Sequence, residues 1–214
     1  VTTPPMRPIV SSLGTFNYNL AKYLSEILTP LIDMTHCARD SFSFVDEVIQ
    51  VNITGKFMAS FDIDNLFTNI PLTEAIELAV NLIVSCHQRN RFSSEQLHKM
   101  FKYATCMTHF MFDGSFYDQI DGVAMGSPLG PTLANLFMSH YEKKWLEEGN
   151  SFNPIVYKRY VDDIFCIFEN ENDANIFFAA LNTKHPNLKS TCEGEIDGCL
   201  PFLDVLINNR GQIV

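Results

Sequence analysis

The stretch "KRYVDDIFCIF", residues 158–168, sets two adjacent carboxylates, Asp162 and Asp163, inside an apolar, β-prone run. The flanking Val, Ile, Phe and Tyr residues predict strand 154–161, a turn at Asp162-Asp163 and strand 164–168. Read alone, the pair is a polar hairpin turn, because Asp favours turns. A second stretch changes that reading. "ASFDIDNLFTNIP" places Asp62 at the end of another apolar strand, 55–63. If the two strands are neighbours in one sheet, three carboxylates converge at one edge. Such groups repel and raise one another's pKa unless a cation sits between them. Oxygen-only ligands suit Mg²⁺, which takes one or two carboxylates and leaves its other positions to water and phosphate. Two such ions ~4 Å apart stabilise the attacking and leaving oxygens of an in-line phosphoryl displacement.

The surrounding pattern predicts an α+β protein, an antiparallel sheet with helices packed on one face. Residues 17–29 set Leu20, Leu24, Ile27 and Leu28 on one helical face, and Pro30 ends that helix. "SFVDEVIQ" predicts a short helix. Pro71 opens another, with Ile76, Ala79, Val80 and Ile83 inward. A capping box from Ser93 to Gln96 starts a further one, with Leu97, Met100, Phe101 and Ala104 inward. Residues 110–119 predict a hairpin turning at Asp113-Gly114. "GVAMGSPLGP" is a Gly/Pro loop, "TLANLFMSHYEKKWLEE" a helix and "NDANIFFAALNTKH" a helix begun by an Asn or Asp cap. Strands 188–193 and 201–207 follow.

The motifs together resemble the reverse transcriptases. "FDIDNLF", "GVAMGSPLGPTLANLF" and "YVDD" are similar to that family's motifs A, B and C, in the right order. "RPIVSS", residues 7–12, resembles the fingers motif that meets the incoming triphosphate. "LPFLDVLI", residues 200–207, resembles the strand closing the palm. "FTNIP", "MGSPLGP" and "PFLDVLI" together look most like the Penelope-like retroelements, relatives of telomerase reverse transcriptase. The resemblance implies a single reverse transcriptase domain over 1–214, with fingers elements about 1–56 and 88–125 and palm about 57–87 and 126–214.

It further implies an RNA-directed DNA polymerase core that adds deoxynucleotides to a primer 3′-OH. Asp62 and Asp162 would be metal ligands and Asp163 a third carboxylate, with two Mg²⁺, or Mn²⁺, as cofactors. Arg7 would grip the triphosphate, since a guanidinium matches phosphate geometry. Phe67, five residues after Asp62, falls where the family keeps an aromatic steric gate against the ribose 2′-OH; the competing reading is a core Phe. Gly126, Pro128 and Gly130 would let backbone approach the nucleotide, or serve only as turn residues. Leu129 stands where the family has a Gln, which puts a Gln-based nucleotide contact in doubt. Lys184 or Lys189, after the helix that follows motif C, is a candidate general acid; the competing reading is a solvated surface Lys. Asp64 reads as a turn cap and Tyr160 as primer support or packing.

Composition bounds these expectations. The chain has 214 residues, 46% hydrophobic, with eighteen Phe, enough for one sizeable core. No apolar run approaches the ~20 residues of a membrane span, and no secretory signal opens the chain, so no membrane partner is expected. Six Cys lack any C-x-x-C pair, and Cys106 with His109 has no second pair beside it. They read as free thiols of a reducing, intracellular compartment rather than as a zinc site. The net charge of -10 is unusual for a nucleic-acid binder, and two Mg²⁺ offset only part of it. We expect the chain to be a piece of a longer protein whose thumb and GIY-YIG endonuclease lie beyond it. Lys143, Lys144, Lys158 and Arg159 would be the local basic lining of a groove. Expected partners are an RNA template, a DNA primer and dNTPs, with the nucleus as the working compartment. The alternatives are an RNA-templated RNA polymerase, which Phe67 disfavours, and a catalytically inactive or repurposed fragment acting as a binding module.

Overall fold

The computed structural model describes residues 9, 11–86, 91–106, 109–209 and 212–213. Its helices are α1 (Tyr18–Leu28), α2 (Ser41–Val48), α3 (Leu66–Asn69), α4 (Leu72–Ser85), α5 (Ser94–Thr105), α6 (Gly130–Glu147) and α7 (Glu171–Lys184). Its strands are β1 (Phe57–Ile63), β2 (His109–Phe112), β3 (Ser115–Asp118), β4 (Val156–Tyr160), β5 (Asp163–Phe168), β6 (Ser190–Gly194), β7 (Cys199–Phe202), β8 (Val205–Asn208) and β9 (Gln212–Ile213). The α+β class expected from the sequence is what forms. Two compact units partition it: Val1–Ile32 with Phe67–Met138, and Asp33–Leu66 with Ser139–Val214.

The second unit carries a four-stranded antiparallel sheet in the order β4-β5-β1-β6. Alternation splits its side chains between two faces. Met58, Phe165 and Ile167 enter a core with Phe44 and Val48 of α2 and Leu200, Phe202 and Ile207 of β7–β8. Phe44 meets Phe165 and Phe202 with ring centroids 5.1 and 4.9 Å apart. On the other face Phe61 and Phe168 pack against Phe177 of α7. That face also receives α6, through Glu142. Helix α2 starts where Asp40 accepts from the Ser43 N–H at 2.7 Å in a reciprocal capping box, a start the sequence reading did not find.

In the first unit the Ser93–Gln96 capping box forms as expected and opens α5. Leu97, Phe101 and Ala104 are buried there, and in α4 Ala75 takes the fully buried place expected of Ile76. The hairpin at Asp113-Gly114 forms with both residues left-handed, φ 46° and 75°, as a two-residue turn of that twist requires. Pro30 does not stop the first helix outright; α1 ends at Leu28 and one 3₁₀ turn, Thr29–Leu31, contains the proline.

Two strand expectations need correcting. Stretch 201–207 is not one strand: Leu203 and Asp204 both have positive φ, 48° and 63°, and fold it into the tight hairpin β7–β8, outside the four-stranded sheet. The turn after β4 is Val161-Asp162, not Asp162-Asp163. The β4–β5 ladder closes at Tyr160 opposite Asp163, so Asp163 is the first residue of β5.

Candidate active site

Strands β1 and β5 are direct neighbours, and their register sets Asp62 opposite Asp163. Asp162 sits one residue earlier in the turn, and its carbonyl accepts from the Ile63 N–H at 3.1 Å. All three aspartates therefore gather at one end of the sheet. Partial desolvation at the strand end and the negative charges of Asp162 and Asp62 push the Asp163 carboxyl above its ordinary pKa. A cleft of about 430 Å³ opens beside it, lined in part by Ser60, Asp62, Asp163, Thr191, Glu193 and Asp204. The sequence reading did not anticipate Glu193 and Asp204, because only the β1–β6 pairing and the β7–β8 hairpin bring them there.

The apolar strands explain why the carboxylates reach this edge. Residues 57–61 and 164–168 are held by the two cores, so the polar residues emerge where the ladder ends. Among the described residues no three His, Cys, Asp or Glu side chains are grouped as a ready-made ion cage. Paired carboxylates with one carboxylate adjacent nonetheless match the donor chemistry of Mg²⁺, which draws its other ligands from phosphate and water.

The turn itself is strained. Val161 has φ 58°, a conformation that β-branched residues avoid at a cost on the order of 1–3 kcal/mol. Arg159 supports it: its Nη1 donates to the Val161 carbonyl at 2.9 Å. Arg159 is 0% exposed and paired with Glu142, also 0% exposed. This overturns the groove-lining role expected of Arg159, whose charge is spent inside the fold. Lys158 is paired with Glu47 and donates to the Thr35 carbonyl at 3.2 Å. Lys143 and Lys144 are exposed on α6.

The remaining candidates lie as follows. Lys184 is in an ion pair with Glu148. Lys189 donates to the Asn182 carbonyl at 2.7 Å, and its own carbonyl accepts from the Asp64 N–H at 2.7 Å, beside the end of β1. Arg7 lies outside the described residues.

In the first unit, Phe67 is half-buried on α3, and its carbonyl accepts from the Val123 N–H at 2.6 Å. Gly122 makes that approach: a Cβ there would stand 2.7 Å from the Thr68 Cα and carbonyl oxygen. Gly126 accepts at its carbonyl from the Ser12 N–H and hydroxyl, at 3.2 and 2.9 Å. Gly130 opens α6 with its Cα against the Ala124 carbonyl, where a Cβ would be 2.5 Å away. Its smallness thus serves the loop's own closure. Pro128 lies between them in the turn that Gly130 closes by donating to the Ser127 carbonyl at 3.0 Å. Leu129 is fully buried, so the position that holds Gln in the family is here a core position.

Comparison with known proteins fits this architecture. Residues 4–192 match the family described as reverse transcriptase (RNA-dependent DNA polymerase). A search of the curated proteins gives no match. Telomerase from Candida tropicalis in complex with a fragment of telomeric RNA is similar in fold, with a TM-score of 0.71 at 12% identity, over 95% of this chain and 38% of that one. Apo telomerase of the same organism, truncated from its C-terminal domain, gives 0.67 at 14% identity, over 92% and 44%. The RNA-dependent RNA polymerase of BmCPV in its elongation state gives 0.59 at 13% identity, over 92% and 20%. The chain thus spans less than half the length of these structures. With its family match covering most of its length, the chain belongs to the reverse transcriptase (RNA-dependent DNA polymerase) family.

Proposed function

We propose that the chain is the fingers–palm core of an RNA-directed DNA polymerase from a Penelope-like retroelement, serving retrotransposition. The observation that carries this reading is Asp62 facing Asp163 across β1–β5, with Asp162 in the adjoining turn. Asp62, Asp162 and Asp163 would hold two Mg²⁺, which supply charge stabilisation for in-line attack of the primer 3′-OH on the α-phosphate of a dNTP. The protein's own contribution is positional. The β1–β5 ladder fixes two carboxylates on one face, and the Val161-Asp162 turn presents the third.

Phe67 supports deoxynucleotide use, because its backbone is anchored by Val123 and a ring there would meet a 2′-OH. Arg7, Gly126, Pro128 and Gly130 are assigned to the nucleotide side, and Lys184 to general-acid duty, which requires it to leave Glu148. The fingers span about 1–56 and 88–125, and the palm about 57–87 and 126–214. "FTNIP", "MGSPLGP" and "PFLDVLI" support the Penelope-like assignment. A thumb and a GIY-YIG endonuclease elsewhere in the protein would supply the duplex grip that a net charge of -10 does not. The nucleus is the working compartment.

The test is extension of a DNA primer on an RNA template by the full-length protein with dNTPs and Mg²⁺. Extension is expected, and Asp162→Ala should abolish it. Undiminished extension by that variant would refute the metal assignment, and no extension by the unsubstituted protein would favour a binding module.

A further inference from the structure

We propose that the buried Arg159–Glu142 pair is a clamp that holds the Val161-Asp162 turn in its left-handed form and so positions the aspartates of the candidate active site. The inference rests on the polymerase reading above and adds a positioning residue to it.

The geometry is specific. Arg159 lies opposite Ile164 in the β4–β5 ladder, while its neighbour Tyr160 lies opposite Asp163. Alternation therefore puts Arg159 on the face that receives α6 and α7, and Asp163 on the face that packs against α2 and the β7–β8 hairpin. Arg159 props the turn from beneath the face that bears the carboxylates. Its Nε and Nη2 go to the Glu142 carboxylate, Nη2 to Oε2 at 3.2 Å. Nη2 also donates to the Cys37 Sγ at 3.2 Å, and Nη1 donates to the Val161 carbonyl at 2.9 Å.

Both members of the pair are themselves fixed. Glu142 on α6 accepts from the Tyr157 hydroxyl at 2.8 Å. The Arg159 backbone is tied on its outer edge, donating to the His36 carbonyl and accepting from the Ala38 N–H, each at 2.8 Å. The guanidinium thus links helix, strand and turn. A flat fork with donors on several sides can reach Glu142 and the Val161 carbonyl together; a lysine ammonium, a point charge on one stem, cannot.

Stability alone gives little reason for such a pair. A buried ion pair often adds nothing over apolar residues of the same volume, because desolvation cancels the attraction. What an apolar replacement cannot do is hydrogen-bond the carbonyl of a β-branched residue held at positive φ. Such strain persists only where the surroundings over-determine it, and it collects at functional sites. Here the strained residue directly precedes Asp162.

The test compares the unsubstituted full-length protein with Arg159→Lys and with the double variant Glu142→Leu/Arg159→Met. The double variant removes both charges, so no lone buried charge is left to unfold the protein. Two quantities are read: Mn²⁺ affinity by electron paramagnetic resonance, and the kcat and dNTP KM of primer extension. Folded variants are expected to bind Mn²⁺ about 10–100-fold more weakly, as when the support of a metal ligand is lost. Their kcat should fall about 100-fold with KM for dNTP little changed, as for a small misplacement of reacting groups. Mn²⁺ affinity and kcat equal to those of the unsubstituted protein in a folded variant would overturn the clamp and leave the polymerase reading standing. Failure of both variants to fold would also overturn it, making the pair a folding element. An unsubstituted protein that neither binds Mn²⁺ nor extends primers would bring down the polymerase reading itself, a result distinguishable because no variant enters it.

Discussion

Asp62 on β1 and Asp163 on β5 face each other directly across an antiparallel ladder. Like charges so placed destabilise a sheet, by an amount comparable to the roughly 0.2–1 kcal/mol of an ordinary cross-strand pair. Both residues are exposed, so solvent and salt screen the repulsion and the lower end of that range applies. Asp163→Asn should therefore raise the melting temperature in a chelating, low-salt buffer, by about 0.5–1 °C. Mg²⁺ should stabilise the unsubstituted protein more than this variant. Thermal unfolding with and without Mg²⁺ checks both, and a variant melting lower in chelator would contradict the repulsion.

Phe67→Ala should relax sugar discrimination. The carbonyl that binds Val123 belongs to the backbone and survives the substitution. The ratio of kcat/KM for rNTP over dNTP should rise roughly tenfold or more, in line with what a shape-selective pocket can discriminate. An unchanged ratio would return Phe67 to the status of a packing residue.

Gly122→Ala should be much more costly than Gly14→Ala. Both glycines have positive φ, 78° and 81°, but a Cβ meets the Thr68 and Phe67 backbone at position 122 and nothing within 4 Å at position 14. Strain plus overpacking predict a loss on the order of 2–4 kcal/mol at 122, against about 1 kcal/mol at 14. Urea denaturation of the two variants measures the difference; equal losses would show that the loop yields at no cost.

Phe44→Ala should destabilise by about 3–5 kcal/mol, the usual cost of emptying a buried aromatic site. Phe44 is fully buried and joins the sheet to the β7–β8 hairpin through Phe165 and Phe202. The loss should appear as a lower denaturant midpoint with an unchanged slope.

Asp40 gives a pH dependence. Hydrogen bonds from Ser43, its N–H above all, hold the Asp40 carboxyl below its ordinary value of 3.8. A lowered carboxylate pKa contributes stability that is present above that value and lost as pH falls through the folded-state pKa. Asp40→Asn keeps a capping oxygen without the charge. The unsubstituted protein should lose stability relative to this variant as pH falls below 3.8, as seen in melting curves between pH 7 and pH 2. A constant offset would show that the charge does not matter to the cap.

Much of the site was legible because it is written in local patterns. The apolar runs around Asp62 and Asp163 announce strands, and a carboxylate at the end of each can be read from the chain alone. The Ser93–Gln96 capping box and the Asp113-Gly114 turn were equally plain, since each is a short-range signal fulfilled within a few residues. The break at Leu203-Asp204 was not, because no glycine or asparagine marks it. Leu203 adopts positive φ there, within the hairpin that β7 and β8 form. The position of the YVDD turn was missed by one residue for a similar reason: Asp was read as the turn former, whereas the ladder gave that place to Val161 and Asp162.

Arg159 marks the boundary most clearly. In sequence it is a basic residue beside Lys158, and a basic pair near a polymerase motif reads as a groove lining. Its burial depends on Glu142, on a helix that the sequence places well before it, and on the 36–38 segment that runs beside β4. The sequence by itself determined which residues could form strands and helices and which carboxylates would end them, because propensity and alternation act over a few residues. Only the tertiary structure decided which carboxylate faces Asp62, which arginine is inside and what props the turn. Those depend on strand register and on pairings between residues far apart in the chain, which local pattern does not encode.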